Sequence, residues 1–496
     1  MDLNKSNIKL IFGLKLKQLR QSKNLSLSEL AIKSRLSISY LNEIESGKKY
    51  PKSDKILALA NCLHVPYDIL VSVKLNKNLA PIGELLNSNI LRQLPIDHYG
   101  IDINKLITLL ANAPIQLNAI VSTIIEIARS SEMSKNIFSR TALRIYKEFN
   151  ENYFQDIELK SDNFRKQNNL TNLSNIDYKI LSELLINNFG YVINYKELNK
   201  HPELSQIRAV VKKDKITTIF INNSLSNSQL SFILGKEIAY NYLKITDRSY
   251  IYSSNLNSFE QLLNNLNTSY FSTSLIISKK QIINDFNEFI KLKNWDNKFL
   301  INLLSKYQVT PEMLFQRISN VAPKYFHINK FFFLRFNYHN NLNQFELSKE
   351  LHLNTNQNPG GYHSQEHYCR RWISIGIIEE LKEMINKKSK SDIFISGIQK
   401  SKFLNSNEQY LSISIAKRGN INTNLYSSVT LGFLIDSDLE KKVEFVNDTS
   451  IKIKEVNDTC ENCELINCNE RVAPPILLNI ENNKNKVKTA IDKLLL

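Results

Sequence analysis

The chain is 496 residues long and carries 64 Lys and Arg against 48 Asp and Glu, a formal net charge of +16. With 42% hydrophobic and 23% charged residues it is not a disordered chain, its 12 glycines exclude collagen-like and glycine-loop-rich architectures, and its 5 cysteines are too few for a disulfide scaffold. At roughly 100–200 residues per domain, two to four domains are expected.

The charge is unevenly spread. Residues 1–75 hold 13 Lys and Arg and 6 Asp and Glu, so nearly half the excess lies in a small part of the chain. A concentrated basic module implies a polyanion, and double-stranded DNA is the first candidate. No apolar run follows Met1, so no signal peptide is expected. The most apolar long window, 106–128, is broken by Asn112, Pro114, Gln116, Asn118 and Glu126 and reads as a buried amphipathic helix. A cytoplasmic chain with no membrane partner is expected.

Residues 8–72 parse into five short helices. The first, 8–22, gathers Ile11, Phe12, Leu14, Leu16 and Leu19 mainly on one side. Ser26 and Glu29 have capping-box spacing and start a second helix that runs to about Ser34. After a three-residue turn Ser37 caps a third helix, which Gly47 ends because the position after a helix favours a left-handed residue. Helices 53–63 and 66–71 close the module, with Cys62 expected on an apolar face. Two capped helices across a tight turn are the helix-turn-helix layout, whose second helix enters the major groove. Its base-facing candidates are Ser37, Ser39, Tyr40 and Asn42, with Ser28, Lys48 and Lys49 placed to hold phosphates. The run LSLSELAIKSRLSISYLNEIESGKKYP resembles the lambda-repressor-like (XRE) domains.

Residues 76–145 read as a helical connector that also dimerises. Strands are expected at 190–195, 207–211 and 217–221, and helices at 226–243 and about 258–274. The first of these helices resembles the zinc helix of ImmA/IrrE-type peptidases, whose His-Glu-x-x-His motif sets two imidazoles on one helical face. Glu237 is kept, but Lys236 and Tyr240 stand at the two histidine positions, and Phe259-Glu260 is similar to the third-ligand region. An ammonium in a ligand position argues against zinc, so no enzyme activity is expected. His363-Ser364-Gln365-Glu366-His367 satisfies an inverted zinc motif but follows the turn signal Asn358-Pro359-Gly360-Gly361, and is read as chance.

Three cysteines, Cys460, Cys463 and Cys468, fall within nine residues, and Cys369 is the remaining candidate for a fourth ligand outside the helix-turn-helix. Four thiolates suit either a [4Fe–4S] cluster or a structural Zn²⁺, and spacing does not decide between them. Arg370, Arg371 and Arg471 stand close in sequence to offset the charge of such a centre. YCRRW at 368–372 and CENCELINCNERVAPP at 460–475 together resemble the C-terminal domain of the short-chain fatty acyl transcriptional regulator family, as do the segments 331–336 and 429–433. The resemblance implies a bacterial regulator with an XRE domain (1–75), the connector (76–145), a degenerate ImmA/IrrE-like domain (146–325) and a C-terminal sensor domain (326–496). The fold class expected is therefore α+β multidomain: all-α at the N-terminus, peptidase-like α+β in the middle, and α/β around a Cys-ligated metal centre at the end. It further implies a [4Fe–4S] cluster on Cys369, Cys460, Cys463 and Cys468, a homodimer or higher homo-oligomer on a duplex operator, and acyl-CoA as effector, with Arg208 and Lys236 as candidates for its phosphates. The alternatives are an active metallopeptidase and a zinc-stabilised regulator of a mobile element.

Overall fold

The computed structural model describes residues 5–72, 135–173, 175–252, 258–354, 367–388, 393–404, 406, 408–419 and 424–495. They fall into two units: Met1–Tyr146 with Asn257–Phe259, and Lys147–Leu256 with Glu260–Leu496. Most of the expected connector, including the window 106–128, and the first four residues of the inverted zinc motif, 363–366, lie outside the described residues.

The first unit opens with α1 (Lys5–Ser22), α2 (Leu27–Ser34), α3 (Ile38–Glu45), α4 (Ser53–Leu63) and α5 (Tyr67–Val71). Local chemistry sets these ends. The Ser26 hydroxyl accepts the Glu29 amide at 3.1 Å, while the Glu29 carboxylate accepts the Ser26 amide at 2.7 Å. Arg35, in the left-handed region at φ 54°, stops α2, and Ser37 caps α3 through the Tyr40 amide at 3.2 Å. Gly47, at φ 71°, follows α3 where a side chain would be strained. Phe12, Leu16, Leu30, Leu41, Ile44 and Leu59 form the core. Gly13 lets α1 touch the end of α3: a Cβ there would stand 2.3 Å from the Ile44 carbonyl oxygen. Arg20 closes the same corner, its Nε 2.7 Å and Nη2 2.9 Å from the Glu45 carboxylate. Beyond the gap the chain resumes in α6 (Lys135–Phe149).

The second unit continues with α7 (Gln155–Gln167) and α8 (Tyr178–Phe189), then a small sheet of β1 (Val192–Asn194), β2 (Ala209–Lys212) and β3 (Thr218–Ile221) in the order β1-β3-β2. Helices α9 (Asn227–Tyr242), α10 (Phe259–Ile276), α11 (Lys279–Ile290), α12 (Asn297–Tyr307) and α13 (Pro311–Phe326) follow. The strands and helices expected between 190 and 274 are present, with ends within two residues of those expected. Fully buried Arg317 on α13 pairs with Glu158 on α7, Nη2 to Oε2 at 3.0 Å, and donates through Nε to the Ile277 carbonyl at 3.0 Å. Tyr270 on α10 donates to the same carboxylate at 2.8 Å, so one ionic knot joins three helices.

The rest is built on a six-stranded sheet, β4 (Phe331–His339), β5 (Gln344–Leu353), β6 (Phe394–Phe403), β7 (Gln409–Arg418), β8 (Leu425–Leu434) and β9 (Ile453–Val456), in the order β5-β4-β8-β7-β6-β9. All pairings are antiparallel except β6 with β9. Helix α14 (Ile373–Lys388) covers one face, where Phe336, Trp372, Ile378, Leu381 and Tyr410 share a core. Gly432 on β8 pairs with Phe332 on β4, and the phenyl ring lies over it, so a Cβ would meet Cζ at 2.1 Å. Helices α15 (Ser437–Lys442) and α16 (Ile476–Leu495) complete the described chain. Among the described residues no helix is long and apolar enough to cross a membrane.

Candidate functional site

Within the helix-turn-helix unit the amphipathic period of α3 buries Leu41 and Ile44 and turns Ser37, Ser39 and Asn42 outward, all three exposed. Ser28 is exposed on α2, and Lys48 and Lys49 are exposed after α3. Tyr40 differs from the expectation: it is half-buried and packs on the core. The Lys49 ammonium lies 5.1 Å from the centre of the Tyr40 ring and 3.3 Å from the Glu43 carboxylate, so part of its charge is answered within the protein. Ile38, half exposed on the outer face of α3, was not singled out by the sequence; an apolar side chain there suits a thymine methyl group. Cys62 is not fully buried as expected; it is partly exposed and its thiol donates to the Lys33 carbonyl at 3.0 Å.

Helix α9 carries Lys236, Glu237 and Tyr240, the residues compared above with a zinc-peptidase motif. Gly235 brings it against α10, where a Cβ would lie 2.4 Å from Ser272 Oγ. The Glu237 carboxylate is wholly buried and fully engaged. It accepts from Arg248 Nη1 at 2.9 Å and Nη2 at 2.5 Å, from the Tyr191 hydroxyl at 3.1 Å and from the Tyr252 hydroxyl at 2.5 Å. The guanidinium also stacks 3.6 Å from the centre of the Tyr240 ring. A carboxylate held this way is not free to take a proton from water. The Lys236 ammonium donates to Asn265 Oδ1 at 2.5 Å and is enclosed by the rings of Phe232, Tyr240 and Tyr252. Burial, aided by Arg248, pushes its pKa down to about 7. Asn265 on α10 is thus the hydrogen-bond partner of Lys236.

The two residues named for an anionic effector separate. Arg208 lines a cavity of about 250 Å³ bounded by Phe232, Glu312, Arg335, Lys349 and Lys417 among others, whereas Lys236 does not line it. Apolar side chains also line it, among them Ile233, Met313, Ile415 and Val429.

All four candidate ligands, Cys369, Cys460, Cys463 and Cys468, line one pocket. Tyr368 and Thr459 form an antiparallel bridge, the Cys369 amide donates to the Asp458 carbonyl at 3.2 Å, and the Cys460 amide donates to the His367 carbonyl at 2.8 Å. A segment some ninety residues upstream is thereby laid beside the cysteine loop. Glu461 fastens the pair of strands, accepting the His367 amide at 3.0 Å and bonding its Nδ1 at 2.8 Å. Arg471 organises the loop itself, with Nη1 2.6 Å from the Cys460 carbonyl and Nη2 3.0 Å and 2.7 Å from those of Cys463 and Leu465. Cys369, Cys460 and Cys463 are buried, and burial pushes the Cys369 thiol up to about 11.

Two observations bear on whether a metal group fits here. The donor set is four thiols, and the buried Nε–H groups of Arg370 and Arg471, which have no hydrogen-bond partner, line the same pocket and suit an anionic centre. Among the described residues no three His, Cys, Asp or Glu side chains are gathered closely enough to grip an ion as they stand. A metal held here would have to draw the four sulfurs together, as in domains where metal binding and local folding are one event. The three arginines are not equivalent charge screens: Arg370 lies 4.3 Å from the centre of the Phe345 ring, and Arg471 is committed to carbonyls.

Residues 16–70 match the helix-turn-helix family model, so this domain is of that family. A 62-residue stretch is 39% identical to the uncharacterized HTH-type transcriptional regulator RghRB of Bacillus subtilis (strain 168), spanning 12% of this chain and 45% of that protein. Less than half of that relative's length is therefore represented here. Among solved structures the chain is similar to a Mycobacterium tuberculosis transcriptional regulator, at 14% identity and TM-score 0.46, covering 68% of this chain and 93% of that one. It is also similar to the apo form of the competence regulator ComR from Streptococcus vestibularis, at 15% identity and TM-score 0.13, covering 64% and 98%. Both scores fall below the level at which a shared fold is implied.

Proposed function

We propose that this chain is a cytoplasmic transcriptional regulator of the short-chain fatty acyl type that binds a duplex operator as a homodimer or higher homo-oligomer. The observation that carries the DNA-binding reading is the capped pair α2 and α3, matched as a helix-turn-helix, with Ser37, Ser39 and Asn42 facing outward beside exposed Lys48. Ser28, Lys48 and Lys49 position the domain on phosphates, and Asn42 reads base edges. Two recognition helices on one duplex meet half-sites roughly 34 Å apart.

Cys369, Cys460, Cys463 and Cys468 are the residues that would hold a [4Fe–4S] cluster, with structural Zn²⁺ as the alternative. Such a group would supply a redox-labile tetrathiolate crosslink between the 460–468 loop and the segment carrying Cys369. Arg471 shapes that loop by its carbonyl bonds, and Glu461 with His367 sets its register against the upstream segment. The middle region is not a peptidase: Arg248 and two tyrosines occupy Glu237, and Lys236 fills the place of a zinc-binding imidazole. An acyl-CoA effector is supported by the cationic cavity at Arg208, not by Lys236.

Selection of bound duplexes from a random pool, followed by gel shift across a salt series, tests this reading. It expects a two-fold symmetric site, and retention of no duplex even at low salt would defeat it.

A further inference from the structure

Three features outside the sites above merit comparison. Helix α16 leaves Ile480, Val487, Ile491 and Leu494 exposed, but nothing in the structure shows what covers them. The buried His352 has no hydrogen-bond partner at either ring nitrogen, but it packs against Phe332 and lies 3.7 Å from the Glu350 carboxylate, and nothing shows a ligand there. The cavity at Arg208 contains a carboxylate among cations, and this arrangement carries further.

Glu312 stands in the first turn of α13 and projects among charges from the sheet. Its carboxylate accepts from Arg335 Nη1 on β4 at 2.8 Å, from Lys349 Nζ on β5 at 2.5 Å and from Gln316 Nε2 at 3.3 Å. Arg208 and Lys417 line the same cavity, so four cationic side chains share it with a single carboxylate. Burial alone would raise the Glu312 pKa, but Lys349 and Arg335 outweigh it and hold the group well below the carboxylate range. The cavity is therefore already set for an anion, and part of that setting is occupied by the protein's own side chain.

We propose that Glu312 is an internal stand-in for the ligand: an incoming anion takes over Arg335 and Lys349, and the displaced carboxylate frees the N-terminal turn of α13 from strands β4 and β5. The proposal rests on the reading of this cavity as an effector site and adds how occupancy is sensed. The ligand class is an anion with an apolar arm, its charged end at Arg208, Arg335 and Lys349 and its arm along Ile415 and Val429. Exchange of one anion for another keeps half-buried Arg335 and exposed Lys349 paired throughout, and the displaced carboxylate turns to solvent. It also places the mechanical consequence on α13, whose Arg317 holds α7 through Glu158.

The test is calorimetry of the full chain with two probes, inorganic pyrophosphate and acetyl-CoA, on the wild type, Glu312→Gln and Arg208→Ala. With the internal anion removed, Glu312→Gln should bind pyrophosphate at least tenfold more tightly than the wild type, whereas Arg208→Ala, which keeps the Glu312 pairs, should bind it at least tenfold more weakly. Unfolding midpoints of both variants verify the fold; if Glu312→Gln does not fold, Glu312→Ala, which keeps all the cations, takes its place and should likewise bind pyrophosphate at least tenfold more tightly. Equal or weaker pyrophosphate binding by the folded acid variant overturns the stand-in role. Absence of acetyl-CoA binding to every form, with the pyrophosphate gain intact, overturns the acyl-CoA effector reading and leaves the exchange standing.

Discussion

Replacing Lys236 by methionine tests the cost of the buried ammonium on α9 quantitatively. The lysine is buried, its ammonium bonded to Asn265 and ringed by Phe232, Tyr240 and Tyr252. Its pKa falls from 10.5 to about 7, with burial the largest cause. In the interval between those values the folded amine is neutral while the unfolded one is charged. The unfolded chain then binds more protons, so stability rises with pH through this window. At about 1.4 kcal/mol for each pH unit, the whole interval corresponds to roughly 5 kcal/mol, an order-of-magnitude figure. Methionine has similar length and no charge. The Lys236→Met chain should therefore be the more stable at pH 6, by about 2–4 kcal/mol once the orphaned Asn265 amide is counted. Its advantage should shrink by about 1.4 kcal/mol per unit from pH 7 to 9. Urea unfolding at pH 6, 7, 8 and 9 measures this directly. A difference between variant and wild type that stays constant with pH would refute the reasoning.

Arg317→Met should cost about 3–5 kcal/mol in chemical unfolding, because it leaves Glu158 charged and buried. Burial would raise the Glu158 pKa, yet Arg317 and Tyr270 hold it below the ordinary value, so its stabilisation is present above the unfolded pKa and is lost as pH falls through the folded one; the variant should lack that acid-side loss, seen in unfolding between pH 5 and 3. Arg471→Ala removes four bonds to loop carbonyls and should make the 460–471 segment sensitive to limited proteolysis and lower its metal retention, while Arg471→Lys should restore little because an ammonium cannot span the same carbonyls. Asn42→Ala should relax sequence choice on DNA by about 1–3 kcal/mol of discrimination, whereas Lys48→Ala should weaken all duplexes alike and reduce the salt slope by about 1, both read by gel shift across a salt series.

The helix-turn-helix was legible because its boundaries are written in neighbouring residues: Ser26 with Glu29, Ser37 with Tyr40, and Gly47 all act within one turn of where they stand. The need for Gly13 was not legible, since it depends on a carbonyl of Ile44 delivered by another helix. The same division runs through the middle region. That Lys236 and Tyr240 stand where the resemblance would put histidines was evident, but the role of Arg248 was not, because the loop after α9 returns it to Glu237 only in three dimensions. A basic residue soon after a helix that carries a lone buried acid was the available signal. Cys369 could be matched to the distant trio by resemblance, while the bridge of Tyr368 with Thr459 that brings them side by side is a tertiary fact. Lys236 and Arg208 had seemed one phosphate site; the side-chain directions on α9 and before β2 send one into an aromatic enclosure and the other into the cavity. Glu312 escaped notice because its cations come from two strands of a different sheet, joined only by folding.

The central claim is that the four cysteines act as one metal site in a DNA-binding regulator. Purification of the full chain under anaerobic conditions, with iron, acid-labile sulfide and zinc quantified on the same sample, tests it most directly. The account predicts a brown protein with iron and sulfide in equal amounts, about four of each per chain, reduced by replacing any of Cys369, Cys460, Cys463 or Cys468 with serine and unaffected by Cys62→Ser. One zinc per chain on the same four residues would select the alternative metal, and a metal-free chain in which all four thiols titrate would contradict the claim.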